Sequence, residues 1–322
     1  MDGNRDGGLI VVGVDASDSA REAAEWAADL ASAERAPLLL VHVVPGGYQD
    51  APITPIPAWL AELRDVAVRL GAEPCVAEVQ PGTPVDVLGT RAEGAAMLVL
   101  GSYGEAGWSG MLAGTVAVSL LERVRCPVAV IRGKVPQLPP PRGGPVVVGV
   151  DGSPAGRAAL DVAAGLAEVL GARLVGTRAW SDVVAGSDGS AHRRPEDWPV
   201  LADEAGRMLA AELGRVAAAH PELVIEHDVD EDTPLRVLLD RAGTARMIVV
   251  GHRRTAPQTG MPQTGMPQTG MLLGSTSRAL VEFAECPVVV VGPAMVAAEP
   301  AAGGLVPGDR QGFSRGAPGR AD

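Results

Sequence analysis

The fold is set by one stretch of sequence, Met97-Leu-Val-Leu-Gly101-Ser-Tyr-Gly104-Glu-Ala-Gly-Trp-Ser-Gly-Met-Leu-Ala-Gly114-Thr115, which continues to Cys126-Pro-Val-Ala-Val-Ile131. It predicts a buried strand, a glycine-rich loop, a helix and a second buried strand. Glycines after a strand let the backbone approach a ligand closely, and the helix that follows offers unpaired N–H groups to an anion. A simple turn with a helix cap would need the same glycines, so this loop alone leaves both interpretations open.

The same order of elements occurs a second time along the chain, which indicates an internal duplication of a domain-sized unit. Apolar strands alternate with helical segments in both copies, a pattern typical of parallel, doubly wound sheets. We therefore predict an α/β protein of two tandem doubly wound domains, each with a five-stranded parallel sheet flanked by helices. The corresponding strands are 9–15 and 145–151, 37–44 and 174–180, 75–79 and 223–229, 97–101 and 246–251, and 126–131 and 286–291.

Composition places the boundaries of these domains. Residues 134–144 are rich in proline and predict an extended linker between a first domain at 8–133 and a second at 145–292. Residues 1–7 and 293–322 consist largely of small, polar and charged residues and predict disordered termini.

The second domain is longer than the first in two places. The interval from Asp151 to Gly251 is 14 residues longer than that from Asp15 to Gly101, and the polar segment 181–198 is the expected insertion.

The interval from Gly251 to Cys286 is ten residues longer than its counterpart. A five-residue motif, Pro-Gln-Thr-Gly-Met, occurs three times in tandem there, so we infer expansion of an ancestral loop.

Composition and charge exclude several classes of function. The net charge of −12 argues against non-specific nucleic-acid binding. Three cysteines without a Cys-x-x-Cys pair indicate neither a disulfide framework nor a zinc site, and Cys126 and Cys286 are expected to be buried small hydrophobes. The first residues lack a signal-peptide core and no apolar run is long enough to span a membrane, so we expect a cytoplasmic protein.

With both halves of the duplication in view, the chain resembles the universal stress protein family in its tandem form, over residues 8–133 and 144–292. The resemblance rests on two strands that end in Val-Asp and on the spacing Gly-x2-Gly-x9-Gly-Thr in the first domain. It implies an adenine nucleotide α-hydrolase-like fold whose domains pair through their fifth strands. In the ATP-binding branch, adenosine lies at the carboxyl ends of the strands and the phosphates lie on the glycine loop.

Carried over to the first domain, the resemblance implies that Asp15 meets the adenine and Val43 lines the base pocket. A capping role for Asp15 or Thr115 is the alternative in each case. The loop residues implied to surround ribose and phosphates are Gly101, Gly104, Gly114, Thr115 and Val116. Glu105 departs from the family pattern, because a basic residue often stands there and a carboxylate would repel phosphate.

The second domain keeps part of the same set. The residues implied to bind nucleotide are Asp151, Ala179, Gly251, Gly274 and Ser275. Arg254 replaces the second glycine of the loop, and the loop carries the ten-residue expansion. We therefore expect the second domain to bind nucleotide less readily than the first.

These features predict a regulator of the stress response that binds ATP, alone or with Mg²⁺, and acts on regulatory target proteins as yet unidentified. No Walker-type loop or other catalytic motif is present, and we assign no catalytic or metal-binding residue. His42 is expected to be a hydrogen-bonded strand residue. Slow ATP hydrolysis or self-phosphorylation at Thr115 or Ser102, and a nucleotide-free dimerising scaffold, are the alternatives; a homodimer is compatible with each.

Overall fold

The computed structural model describes residues 7–44, 55–103, 115–132, 139–180, 183–186, 189–192, 198–252 and 275–296. Several sequence predictions fall outside these residues: the glycines at 104, 114 and 274, the residues Glu105 and Arg254, the three Pro-Gln-Thr-Gly-Met copies, and most of the terminal segments and linker. A short helix occupies the first four residues of the predicted tail, Pro293–Val296.

The first domain alternates strands and helices as predicted. Helix α1 begins where Ser17 accepts a hydrogen bond from the Ala20 amide, and it turns a small-residue face, rich in alanine, to the sheet. Its elements are β1 (Ile10–Val14), α1 (Asp18–Glu34), β2 (Leu38–Val44), α2 (Ala58–Arg69), β3 (Cys75–Pro81), α3 (Pro84–Arg91), β4 (Met97–Gly101), α4 (Thr115–Leu121) and β5 (Val128–Ile131).

The second domain repeats this order with one addition. The predicted polar insertion contains an antiparallel hairpin, and the helix after it has 22 residues where α2 has 12. The elements are β6 (Val146–Gly149), α5 (Pro154–Val169), β7 (Leu174–Trp180), β8 (Val183–Gly186), β9 (Gly189–His192), α6 (Trp198–Ala219), β10 (Ile225–Glu231), α7 (Pro234–Ala242), β11 (Met247–Gly251), α8 (Ser275–Phe283), β12 (Val288–Val291) and α9 (Pro293–Val296).

The two domains share one ten-stranded sheet in the order β3-β2-β1-β4-β5-β12-β11-β6-β7-β10. Strands within each half are parallel, whereas β5 and β12 pair antiparallel, with Ala129 opposite Val289. The predicted five-stranded parallel sheets are confirmed, and so is the pairing through the fifth strands.

Helices cover both faces of this sheet. One face packs against α1, α2, α5 and α6, and the other packs against α3, α4, α7 and α8. Each layer of buried side chains continues across the β5–β12 pair, so the domains share two cores rather than holding one each. Cys126 and Cys286 are buried in the second layer, as predicted, and burial raises the pKa of their thiols to about 11 and about 12.

Close contacts to backbone carbonyl groups lie on both sides of the strand pair where the domains meet. The Arg132 guanidinium, which follows β5, donates to the carbonyl of Glu282 in α8. The corresponding residue after β12 is Gly292, and a Cβ atom built there would lie 2.4 Å from the carbonyl oxygen of Leu121 in α4. Among the described residues, no helix is long and apolar enough to cross a membrane.

Candidate functional site

A cleft of about 380 Å³ opens at the carboxyl ends of β1, β2 and β4. From β1 the chain proceeds on one side to β2, and it later returns on the other side as β4. This reversal is where ligands bind in open, doubly wound sheets. The volume lies within the usual range for small-molecule sites, roughly 300 to 1,000 Å³.

Most of the residues that line the cleft are apolar. Three polar residues also line it and are called its rim: Asp15, His42 and Tyr103. The apolar walls come from the sheet and from α3 and α4: Val14, Val41, Val43, Pro84, Leu88, Leu100, Val116 and Ala117. Such a site suits a flat, largely apolar ring with hydrogen-bonding edges.

Four of the residues selected from the sequence line this cleft, namely Asp15, Val43, Gly101 and Val116. Thr115 is the first residue of α4, and its side chain is outside the described part of the structure. Sequence reasoning missed the wall formed by Pro84 and Leu88 of α3. The signal was present, because a Thr-Pro helix start follows directly after the carboxyl end of β3.

Asp15 has a structural role in addition to lining the cleft. Its Oδ1 atom accepts hydrogen bonds from the Ser17 amide at 3.1 Å and from the Ser17 hydroxyl at 2.5 Å. The cap of α1 is therefore Ser17, and the carboxylate orients that cap. Asp151 holds Ser153 in the same way, at 2.9 and 2.6 Å.

His42 is a hydrogen-bonded strand residue, which confirms the prediction. Its Nδ1 atom lies 3.0 Å from the carbonyl oxygen of Val14. Its ring packs edge-on against the Trp59 ring, with the two ring centroids 5.0 Å apart. Because a carbonyl oxygen can only accept, Nδ1 must carry the proton. In the second domain, Arg178 occupies this position and its Nη1 atom donates to the carbonyl of Val150 at 3.1 Å.

Gly101 and Gly251 are each required by close packing between a strand end and a helix. A Cβ atom at Gly101 would lie 2.9 Å from the carbonyl carbon of Ser19 in α1. A Cβ atom at Gly251 would lie 2.4 Å from the carbonyl carbon of Ala155 in α5. Both distances are shorter than real Cβ contacts, so these glycines have a reason to be there that is independent of any ligand.

The exit of β4 is fastened to the start of α1. The Ser19 hydroxyl oxygen accepts hydrogen bonds from the amides of Ser102 at 2.8 Å and of Tyr103 at 3.4 Å. Ser102 is 7% exposed, and its hydroxyl lies 3.4 Å from that of Ser19, on the α1 side rather than in the cleft. This position disfavours Ser102 as a phosphate acceptor, contrary to the second hypothesis drawn from the sequence.

In the second domain, Asp151, Ala179 and Gly251 lie at the carboxyl ends of β6, β7 and β11. Ser275 is exposed at the first residue of α8. Among the described residues, no group of three His, Cys, Asp or Glu side chains is arranged to hold a metal ion.

Glu22 on α1 lies beside the rim residue Tyr103 and carries a perturbed carboxyl group. Burial raises its pKa from an ordinary value of 4.5 to about 7, although Arg21 opposes the shift. Burial also raises the pKa of Tyr103, and the neighbouring Glu22 adds to that shift. The folded protein therefore holds a proton on Glu22 through a pH range in which the unfolded chain has lost it.

We expect Glu22→Gln to stabilise the protein at pH 8. Because the folded protein keeps Glu22 protonated while the unfolded chain loses the proton, Glu22 lowers the free energy of unfolding increasingly from pH 4.5 to about 7 and by a constant amount above that. Because the side chain is partly exposed, the gain at pH 8 should be about 1 kcal/mol, well below the full linkage value. Urea unfolding from pH 4 to 8 measures it. Glu62→Gln, at an exposed position of α2, is the control, and an equal gain at pH 4 and pH 8 would contradict the assignment.

Both domains match the same protein family when the chain is compared with known proteins. A sequence model of the universal stress protein family matches residues 9–132 and 144–292. Universal stress protein Rv2623 of Mycobacterium tuberculosis (strain ATCC 25618 / H37Rv) is 32% identical over 298 residues, covering 87% of this chain and 95% of that protein. Universal stress protein Rv2005c of the same strain is 35% identical over 298 residues, covering 87% and 96%.

A solved structure shows the same fold. The crystal structure of a universal stress protein from Archaeoglobus fulgidus DSM 4304 covers 88% of this chain and 98% of its own, with a TM-score of 0.57 and 18% identity. At this identity the similarity concerns the fold alone.

Proposed function

This chain belongs to the universal stress protein family, in its tandem two-domain form, and we propose that it is an ATP-binding regulator of the stress response. The observation that carries the proposal is the cleft at the β1–β4 reversal of the first domain, with its apolar walls and polar rim.

The chemistry of the cleft suits adenine. Valine and leucine side chains on both sides offer dispersion contacts to the faces of a purine ring. The Asp15 carboxylate on the rim can accept a hydrogen bond from an exocyclic amino group. Phosphates would extend towards residues 104–115, and Mg²⁺ would be held chiefly by phosphate oxygens, as is usual for this ion.

The titratable groups of the cleft favour binding over rapid catalysis. Its described rim offers Asp15, His42 and Tyr103; the first orients the cap of α1, and the second uses its Nδ1 proton on Val14. Because both groups already hold parts of the fold, we propose binding rather than rapid catalysis. In this proposal, ATP orders residues 101–116 and so changes a surface that target proteins recognise.

The sheet topology limits how chains could associate. β5 and β12 each pair with strands of this chain on both sides, so neither has a free edge, and a homodimer would need another surface. A homodimer, regulatory target proteins and a cytoplasmic location remain predictions on which ATP binding does not depend.

Titration of the full chain with ATP and Mg²⁺ in a calorimeter tests the proposal. Val43→Trp should fill the cleft and weaken ATP binding at least tenfold, since the indole would occupy space meant for the base. Val76→Trp, on the exposed edge strand β3, is the matched control and should bind as the native chain does. Saturating ATP should also slow hydrogen exchange in residues 101–116. A native chain that gives no heat and no change in exchange would refute ATP binding and regulation together.

A further inference from the structure

The last part of the linker, residues 139–144, is attached to both domains, and we call it the strap. Pro140 is buried, although the strap lies outside helix and strand. At its end, Gly144 has a φ of +97°, and a Cβ atom there would lie 2.4 Å from the carbonyl oxygen of Thr244 in the second domain. A linker that served only as a spacer would need no such contacts.

Arg142 makes the contact of the strap with the first domain. Its Nε atom lies 3.2 Å from Oδ2 of Asp29, and its Nη2 atom lies 3.7 Å from Oε2 of Glu25. Both carboxylates belong to α1 and stand four residues apart on the same side of the helix, so one guanidinium reaches both. A single cation thus holds the strap against α1.

A guanidinium of the second domain completes this cluster of charges. Arg246, the residue before β11, donates from Nη1 to the carbonyl oxygen of Leu170 at 3.4 Å. Burial lowers the pKa of Arg246, Asp29 opposes that change, and Arg142 adds to it, so the three charges lie close together. They line one small cavity, whose residues come from α1, the strap and the second domain: Trp26, Asp29, Leu30, Arg142, Leu170 and Arg246.

The duplication shows that part of this cluster occurs only on the side where the strap lies. Counted from the serines that cap α1 and α5, Gly165 stands at the position of Asp29. Ala96 precedes β4 where Arg246 precedes β11. Two of the charged residues therefore have uncharged counterparts in the other half, as expected if they serve a contact that the chain makes once.

The ion pairs of the strap are accessible to solvent and hold it only weakly. The side chains of Arg142, Glu25 and Asp29 are 51%, 34% and 29% exposed. Ion pairs at this exposure contribute little stability, and salt screens them. The domains are joined independently by the β5–β12 pair, so the strap can detach while the sheet remains whole.

We propose that the strap is a salt-sensitive latch, which the ion pairs of Arg142 with α1 hold closed and whose opening leaves the ten-stranded sheet intact. When it is closed, the strap lies on α1 and the bond between Arg142 and Gly143 is protected. When it is open, the linker is accessible to other proteins. The latch is independent of nucleotide binding.

Limited digestion of the full chain with trypsin measures opening, because trypsin cleaves after arginine and mass spectrometry identifies the Arg142–Gly143 bond. Rates are normalised to a peptide substrate at the same salt concentration. We expect this bond to be cut about threefold faster in 0.5 M than in 0.05 M NaCl, since salt screens the ion pairs. The double variant Glu25→Gln/Asp29→Asn should be cut about fivefold faster than the native chain at low salt, with little further response to salt.

Asp161→Asn is the matched control. It removes an ion pair of 2.7 Å with Arg215 at the position of α5 that corresponds to Glu25, and cleavage at Arg142 should stay at the native rate. Low, non-denaturing urea separates local opening from global unfolding. Opening of the strap exposes little surface, so the cleavage rate should depend weakly on urea.

Three results would overturn the latch. The first is a double variant cut at the native rate, which would show that the ion pairs do not hold the strap. The second is a native cleavage rate that salt does not change. The third is cleavage that rises as steeply with urea as global unfolding does, which would show that the strap opens only when the sheet unfolds.

Discussion

Gly292→Ala should lower the free energy of unfolding by about 2 to 3 kcal/mol, in the upper range for overpacking a dense interior. The new methyl group would lie 2.4 Å from the Leu121 carbonyl oxygen. That oxygen belongs to the last turn of α4 and cannot rotate away as a side-chain end could. Relief requires α4 and β12 to move apart, which would disturb the single pair of strands that joins the two halves of the sheet.

The matched control for Gly292→Ala is Gly165→Ala. Gly165 lies within α5, and a Cβ atom built there meets no atom within 4 Å. Alanine is favoured over glycine in a helix interior, so this variant should gain about 0.5 to 1 kcal/mol. Urea unfolding followed by tryptophan fluorescence measures both. If the Gly292→Ala protein were as stable as the native chain, α4 and β12 would be able to move apart at little cost, and the prediction would be wrong.

The parallel sheets were predictable because their signals are local and repeated. A run such as Met97 to Leu100 is buried on both faces, so it is apolar throughout, and the duplication supplied an independent copy of each strand. The pairing of β5 with β12 followed from the family resemblance alone. Nothing in the four-residue run Val128–Ile131 specifies an antiparallel neighbour.

The candidate site was only half predictable. Asp15 and Val43 come at strand ends, where a ligand is expected from topology, and they do line the cleft. Leu88 and Leu100 were missed because a core leucine and a cleft-lining leucine look the same in sequence. The hairpin β8–β9 was also missed, since a polar insertion of 14 residues carries no strong alternation of apolar and polar side chains.

The structure gives a different explanation for the two glycines that end β4 and β11. The sequence argument assigned Gly101 and Gly251 to a ligand, whereas the packing against α1 and α5 already excludes a side chain at both. These two explanations predict different phenotypes. A glycine kept for a ligand would, when replaced, impair binding in a protein of native stability. A glycine kept for packing would, when replaced, destabilise the protein with no ligand present.

We expect packing to dominate, and most strongly at Gly251. A Cβ atom there would lie 2.4 to 2.6 Å from three backbone atoms of Ala155 and Gly156, so Gly251→Ala should cost about 3 kcal/mol of unfolding free energy. At Gly101 the nearest atom is the Ser19 hydroxyl, at 2.6 Å, with backbone atoms at 2.9 and 3.0 Å, so the loss should be about 2 kcal/mol. Gly89→Ala in α3 is the control, since its Cβ atom would meet only Leu120 at 3.7 Å and the variant should be at least as stable as the native chain. Urea unfolding without nucleotide measures all three, and native stability of both strand-end variants would restore the ligand explanation.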